Sequence, residues 1–177
     1  MTELYLMGSG RSRGAYWLKG SVPDDFFAVL RAQAGTPGWR FGRHSGTRFY
    51  DFHGCTAAVL YFISEYAASE FQKHSITGWQ YLPVQIDLPK APNFGILQIT
   101  GRGGPLELSH TKVLAKDYFT EYRGLVLDRR LWDGSDLFLP RDSGFILARP
   151  RVREVVKQCK LKNFEFEPVS EITFHRK

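Results

Sequence analysis

The sequence is poor in cysteine and lacks the common motifs of metal sites. Its 177 residues include two cysteines, Cys55 and Cys159, whereas disulfide-stabilised secreted domains carry more cysteines at closer spacing. It contains no C-x-x-C pair and no H-E-x-x-H motif at any of its five histidines, and Ser64, Ser109 and Ser143 do not stand in a G-x-S-x-G motif. These absences predict a protein with no cofactor, no metal ligand and no catalytic residue.

Long apolar runs are also lacking, and no signal peptide is expected. No apolar run approaches the roughly 18 residues that a membrane-spanning helix needs. The first five residues do not show the basic region and following apolar stretch of a signal peptide. We therefore expect a cytoplasmic protein with no membrane partner.

Aromatic and basic residues are abundant. Fourteen Phe, eight Tyr and four Trp are more than a small core can hide, so some rings are expected on a contact surface. The formal net charge of +6 is compatible with nucleic acid, anionic lipid or an acidic protein as a partner. Acidic residues are interleaved with the basic ones almost everywhere, which argues against a one-sided field for nucleic acid or lipid.

A pattern that occurs twice in the chain is the main indication of the fold. Residues 60–63 map onto residues 145–148, and the same shift, which we call the repeat offset, maps residues 83–84 onto 168–169 without a gap. Each copy has the pattern of an apolar strand, a short amphipathic helix and an aromatic-x-aromatic-x-Pro-Val strand. Chance is the alternative explanation, because strand–helix–strand units share this pattern. We favour a duplicated unit and expect a mixed α/β (α+β) fold with two similar strand–helix–strand units.

We expect the chain to form a single domain over residues 1–177. Its parts are an N-terminal segment (1–54), a first repeat-like unit (55–110) and a second repeat-like unit (111–177). Pro150 suits the first turn of a helix, and residues 111–122 are expected to be partly helical. The rings expected to lie partly or wholly in the core are Trp79, Tyr81, Phe164 and Phe166.

Two short groups of residues carry side chains that catalytic or metal sites use. Asp51, His53 and Cys55 alternate, so a strand would place an acid, an imidazole and a thiol on one face. A strand end with one polar face explains them better than an activated thiolate. Asp133 and Asp136 supply too few oxygen ligands for calcium, so we expect a turn there and no bound metal.

The C-terminal part of the chain carries an ordered series of short motifs. Leu-Val-Leu-Asp at 125–128 is followed by Gly-Ser-Asp-Leu-Phe at 134–138, Phe-Ile-Leu-Ala at 145–148 and Phe-Glu-Phe-Glu-Pro-Val at 164–169. This series resembles the C-terminal half of a family of bacterial immunity proteins, which are encoded beside polymorphic or contact-delivered toxins. The resemblance extends faintly to residues 56–88. It implies a binding protein without turnover, whose partner is one cognate toxin.

Three functions follow, in order of preference. The first is an immunity protein, not an enzyme, that neutralises its toxin by occluding the active site. The toxin is expected not to be a strongly basic nuclease, because an inhibitor of such a nuclease usually presents an acidic face and this chain carries a net charge of +6. The second is a nucleic-acid-binding module that uses the basic and aromatic region 39–53. The third is an uncharacterised enzyme.

Partner-binding residues are expected among the aromatic, arginine and aspartate side chains of two segments, since Trp, Tyr and Arg dominate protein interfaces. They are Trp39, Arg40, Arg43, Arg48, Tyr50, Trp132, Asp133, Asp136 and Arg141.

Overall fold

The computed structural model describes residues 3–20, 26–33, 39–57, 59–107, 112–116, 120–141 and 143–176. Within these ranges the chain forms fifteen strands, three α-helices and one turn of 3-10 helix. The strands are β1 (Tyr5–Ser9), β2 (Trp17–Gly20), β3 (Arg40–Ser45), β4 (Phe52–Gly54), β5 (Tyr61–Ser64), β6 (Trp79–Ile86), β7 (Phe94–Ile99), β8 (Arg102–Glu107), β9 (Lys112–Lys116), β10 (Thr120–Arg123), β11 (Val126–Leu127), β12 (Leu137–Arg141), β13 (Leu147–Ala148), β14 (Phe164–Pro168) and β15 (Thr173–Arg176). The helices are α1 (Phe26–Leu30), α2 (Glu65–Lys73) and α3 (Pro150–Gln158), and the 3-10 turn is Arg129–Leu131.

The described strands form two six-stranded sheets and one three-stranded sheet. Sheet 1 has the strand order β2-β3-β6-β7-β5-β4, sheet 2 has the order β11-β8-β12-β13-β1-β14, and the small sheet has the order β15-β10-β9. Neighbouring strands are antiparallel except for the pairs β3–β6 and β8–β12. The predicted mixed α/β (α+β) class with two strand–helix–strand units is therefore wrong. The protein is mostly β-sheet, and its helices are short segments between strands of largely antiparallel sheets.

The two sheets contain a repeated structure of a different kind from the predicted strand–helix–strand units. The repeat offset maps the bounds of α2 onto those of α3. In sheet 1 Phe52 pairs with Ile63, and in sheet 2 their equivalents under the same offset, Leu137 and Ala148, also pair. The strand beside β5 is β7, whereas the same place beside β13 is occupied by β1. Each half thus has four antiparallel strands and a helix: β4, β5, α2, β6 and β7 in the first half, and β12, β13, α3, β14 and β1 in the second.

Two reciprocal hydrogen bonds join the halves. The backbone N–H of Thr77, which follows α2, donates to Oδ2 of Asp136 at 3.0 Å. The backbone N–H of Lys162, which follows α3, donates to Oδ2 of Asp51 at 2.8 Å. Thr77 and Lys162 are equivalent under the repeat offset, and so are Asp51 and Asp136. Each aspartate therefore holds the turn that ends the helix of the other half.

Aromatic rings from both halves meet in the core. Trp79, Tyr81, Phe164 and Phe166 are partly buried and pack against the main core cluster, which confirms the prediction made for them. Phe164 stacks on the fully buried Phe52, with ring centroids 4.4 Å apart and planes inclined by 10°. The core therefore continues from one sheet to the other through this pair of rings.

The small sheet lies in a segment where the sequence predicts partly helical structure. Its strands β9 and β10 account for residues 112–116 and 120–123, so the prediction is wrong there, and residues 111 and 117–119 lie outside the described residues. β10 pairs with β15, which lies much later in the sequence, as in Arg123 with Thr173. Pairing with a distant strand has overridden local helix propensity here.

None of the helices in the described ranges has the length and apolar character needed to cross a bilayer.

Candidate functional site

The side chains of His53 and Cys55, which lie in and beside β4, are held by internal contacts. The backbone N–H of Tyr50 donates to Nε2 of His53 at 2.8 Å, so Nδ1 carries the proton and donates to the carbonyl of Tyr16 at 2.9 Å. The Cys55 thiol donates to the carbonyl of Ala57, and burial raises its pKa to about 11. A thiol with such a pKa stays protonated at neutral pH, so these contacts stabilise the fold rather than activate a nucleophile.

Lowering the pH through about 6.5 should destabilise the protein through His53. Burial lowers the pKa of this imidazole in the folded state, whereas the unfolded chain takes up the proton at the ordinary value. The stabilising contribution is therefore complete above about pH 6.5 and is lost as the pH falls towards the lower folded pKa. Urea denaturation at pH 7, 6 and 5 should show a steeper loss for the wild type than for His53→Gln. His44→Gln, a change at an exposed histidine, is the control, and identical pH slopes for wild type and His53→Gln would contradict the expectation.

The first group of predicted partner-binding residues lies on or beside β3 in sheet 1. Trp39 and Tyr50 are half-buried, and Arg40, Arg43 and Arg48 are exposed. Arg40 forms an ion pair with Asp87 at 3.6 Å, and the Tyr50 hydroxyl donates to a backbone carbonyl at 3.0 Å. The arginine side chains therefore lie on the surface, and the Tyr50 ring is held in place by the hydrogen bond of its hydroxyl.

The second predicted group lies on or before β12 in sheet 2, so the structure places it in a different sheet from the first group. Arg141 and Asp133 are exposed, and the Asp133 carboxylate accepts from the N–H of Ser135 at 2.9 Å, as in an Asx turn. Trp132 is half-buried, with its ring 5.1 Å from that of Phe138. Asp136 is only 1% exposed, so its carboxylate stabilises the fold and offers no surface to a partner.

An apolar pocket that the sequence does not predict lies on the outer face of β1 and β14. Its volume is about 400 Å³, and its apolar lining includes Leu6, Val59 and Phe145. Across the β1–β14 pair, Glu167 lies opposite Leu6 and Glu165 lies opposite Gly8. Both glutamates also line the pocket and are exposed, which makes its rim acidic. We call this feature the apolar pocket.

The apolar pocket occupies the place in the second half that α1 covers in the first half. The registers of β1 and β7 make Leu6 equivalent to Ile96 and Gly8 equivalent to Gln98. In sheet 1, Ile96 is fully buried, and Nε2 of Gln98 donates to the carbonyl of Val29 in α1 at 2.7 Å. In sheet 2, the matching positions are half-buried and open into the pocket. Among the described residues, the second half thus has a groove where the first half has a helix.

Phe145 is the clearest local departure from the repeat. Its side chain is 42% exposed, whereas its counterpart Leu60 in the first half is 1% exposed. Phe27 at the nearby end of α1 is 37% exposed, and it approaches Gly144 together with Val59. These rings extend the apolar surface beyond the pocket. The repeat offset was the sequence signal that could have indicated this surface. It aligns the two halves, and the difference in exposure appears at a pair of positions that this alignment makes equivalent.

Metal-ligating side chains come together at a second place, between the ends of α2 and α3. Within the described part of the chain, one group of three potential ligands was found: Glu70, His74 and Cys159. Their ligand atoms all lie within 4.8 Å of one another, and all three residues are half-buried.

Comparison of the chain with models of known protein families and with curated proteins finds no match. The resemblance of the C-terminal part to immunity proteins therefore stays a prediction.

Proposed function

We propose that this protein is an immunity protein, which binds a cognate bacterial toxin through the apolar pocket and thereby occludes the toxin's active site. The observation that carries the proposal is the counterpart of the α1 site, which no described residue covers. A strand face that one half buries under a helix forms a groove in the described part of the other half, beside an exposed phenylalanine. Grooves of this kind take an amphipathic helix from a partner.

The chemistry of the pocket indicates what the toxin presents. In sheet 1 the strand face under α1 carries Gln80 and Leu82, whereas the equivalent positions in sheet 2 are Glu165 and Glu167. An apolar helix face flanked by lysine or arginine would satisfy the apolar lining and the acidic rim together. We infer that the toxin docks such a segment, with Phe145 packed against its apolar side.

The toxin as a whole is proposed not to be a strongly basic nuclease. The acidic rim consists of two glutamates, and the chain around it carries a net charge of +6. Such a chain would repel a strongly basic protein at long range, even where the local contact is favourable. A neutral or acidic toxin with a locally basic docking segment fits both observations.

Contacts in region 39–53 weaken the nucleic-acid alternative. Stacking on single-stranded bases requires exposed rings, whereas Phe41 and Phe52 are fully buried and Trp39, Phe49 and Tyr50 are half-buried. Arg40 lies beside Asp87, which partly offsets its charge. We therefore do not assign a second function to this region.

Phe145→Ala should weaken the complex with the toxin encoded beside this protein by at least about 30-fold, which corresponds to a hot spot of about 2 kcal/mol. Tyr66→Ala is the matched control, because Tyr66 is an aromatic residue of α2 that is 55% exposed and does not line the pocket. The two proteins would be co-expressed and purified, and the dissociation constants of the variants would be measured by calorimetry.

The outcomes separate the parts of the proposal. Failure of the wild type to form any complex would overturn the immunity function. Equal effects of Phe145→Ala and Tyr66→Ala would overturn the role of the pocket. A complex with a strongly basic, DNA-cleaving toxin would overturn only the electrostatic inference.

A further inference from the structure

The helix ends of the two halves bring a carboxylate, an imidazole and a thiol together. Glu70 and His74 are four residues apart on α2 and its C-terminal cap, so their side chains share one helix face. Cys159 caps α3 in the same way. Its Sγ lies 3.4 Å from Oε2 of Glu70 and 3.6 Å from Nε2 of His74.

These separations match the edges of a coordination tetrahedron. Zinc binds cysteine sulfur at about 2.3 Å and histidine nitrogen or carboxylate oxygen at about 2.0–2.2 Å, which places neighbouring ligand atoms of a tetrahedral site about 3.5 Å apart. The distances from Sγ of Cys159 to the oxygen and the nitrogen agree with this value. The third pair of ligand atoms, on Glu70 and His74, also lies within 4.8 Å, so one ion could contact all three side chains.

We propose that Glu70, His74 and Cys159 bind one Zn²⁺ ion, which ties the end of α2 to the end of α3. The donor set contains sulfur, nitrogen and one carboxylate oxygen, which favours Zn²⁺ over the hard cations Mg²⁺ and Ca²⁺. Three protein ligands leave a fourth position for water. Together the thiolate and the carboxylate would neutralise the charge of the ion.

The surroundings hold the proposed ligands in place. The other carboxylate oxygen of Glu70, Oε1, accepts from Nζ of Lys73 at 2.6 Å, which orients the oxygen that faces the sulfur. The backbone of His74 is fixed twice: its N–H donates to the carbonyl of Glu70 at 3.1 Å, and its carbonyl accepts from Arg151 at 2.7 Å. Contacts of this type preserve ligand geometry and strengthen metal binding.

The position of the cluster follows from the repeat. The repeat offset maps His74 onto Cys159, so they are equivalent residues of the two halves. Equivalent residues that contact each other lie where the halves meet, and there a metal would join them. In the metal-free protein, burial and then the hydrogen bond to Glu70 raise the pKa of the Cys159 thiol, so Zn²⁺ has to displace a proton.

Cobalt offers a direct test, because Co²⁺ replaces Zn²⁺ in tetrahedral sites and absorbs strongly when bound by a thiolate. The protein freed of metal with a chelator should bind one equivalent of Co²⁺ with a thiolate-to-cobalt charge-transfer band, and Zn²⁺ should abolish the band. Zn²⁺, but not Mg²⁺, should also raise the Tm, since a ligand of the native state stabilises it.

Variants identify the ligands. Cys159→Ser should remove the charge-transfer band, and His74→Gln should weaken Zn²⁺ binding by about 100-fold or more, beyond the 10–100-fold typical of changes to residues that only orient a ligand. His44→Gln is the control, because it removes an exposed histidine that is not in the cluster. Unchanged melting of each variant in chelator would show that the fold is intact, and Glu70→Gln would replace any variant that melts early. Absence of the band in wild type, its persistence in Cys159→Ser, or equal losses in His74→Gln and His44→Gln would overturn the proposal.

Discussion

Replacing Phe52 with alanine should lower the free energy of unfolding by about 3–5 kcal/mol, the range found for large aromatic residues removed from cores. The ring is fully buried and stacks with two other rings, with Tyr61 at 5.1 Å and with Phe164 at 4.4 Å between centroids. Its removal would open a cavity at the point where the two sheets share their core. The neighbouring rings belong to β5 and β14, so strands of both sheets would lose packing.

Urea denaturation of the wild type and the variant would give the loss directly. Phe145→Ala is the matched control, because that ring is 42% exposed and its removal should cost within about 0.5 kcal/mol. A loss below about 1 kcal/mol for Phe52→Ala would mean that the ring does not join the sheets as described.

Replacing Asp136 with alanine should lower the free energy of unfolding by about 2–4 kcal/mol, since one hydrogen bond to a charged group contributes about 1.5–3 kcal/mol and Asp136 accepts two. Both come from Thr77, from its N–H at 3.0 Å and its hydroxyl at 3.1 Å. The carboxylate also lies 3.4 Å from the Arg151 guanidinium. The variant would lose this attraction and leave the Thr77 N–H without its acceptor.

Asp87→Ala provides the contrast. Asp87 pairs with Arg40 at the surface, where the two side chains are 43% and 65% exposed, and an exposed ion pair contributes about 0–1 kcal/mol. Thermal and urea denaturation at one pH would compare the two variants. Similar losses for Asp136→Ala and Asp87→Ala would show that the buried hydrogen bonds do not hold the halves together.

Local patterns in the sequence predicted individual elements better than they predicted their arrangement. Pro150 begins α3 as expected, and the apolar side of that helix, formed by Val152, Val155 and Val156, is buried. Both features could be predicted because helix capping and amphipathic spacing are local properties. The class was wrong because strands such as β10 are specified by partners far away in the sequence, in this case β15. A short segment of mixed polarity carries little information about such pairing.

The candidate sites escaped the motif search for a related reason. Glu70 and His74 are four residues apart, a spacing that the sequence shows directly. Their third partner, Cys159, is equivalent to His74 under the repeat offset, and it can be recognised from the sequence only if equivalent positions are assumed to be in contact. The apolar pocket depends on β1 replacing β7 in the second half, which no local pattern predicts. Asp136 was expected at an interface because an aspartate in a turn is usually exposed, and its burial comes from Thr77 of the other half.

The placement of β1 constrains the order in which this protein can fold during synthesis. β1 is made before the rest of both sheets, yet Tyr5 pairs with Ala148 and Pro168, which leave the ribosome much later. The strands β4 to β7 can pair with one another as soon as they leave the ribosome, whereas the backbone groups of β1 stay unpaired until β13 and β14 have been synthesised. Closure of this long loop should make assembly of sheet 2 the slow step, because distant contacts are entropically costly to form. Nascent chains stalled before β13 would therefore expose a strand edge to the chaperones that guard against aggregation.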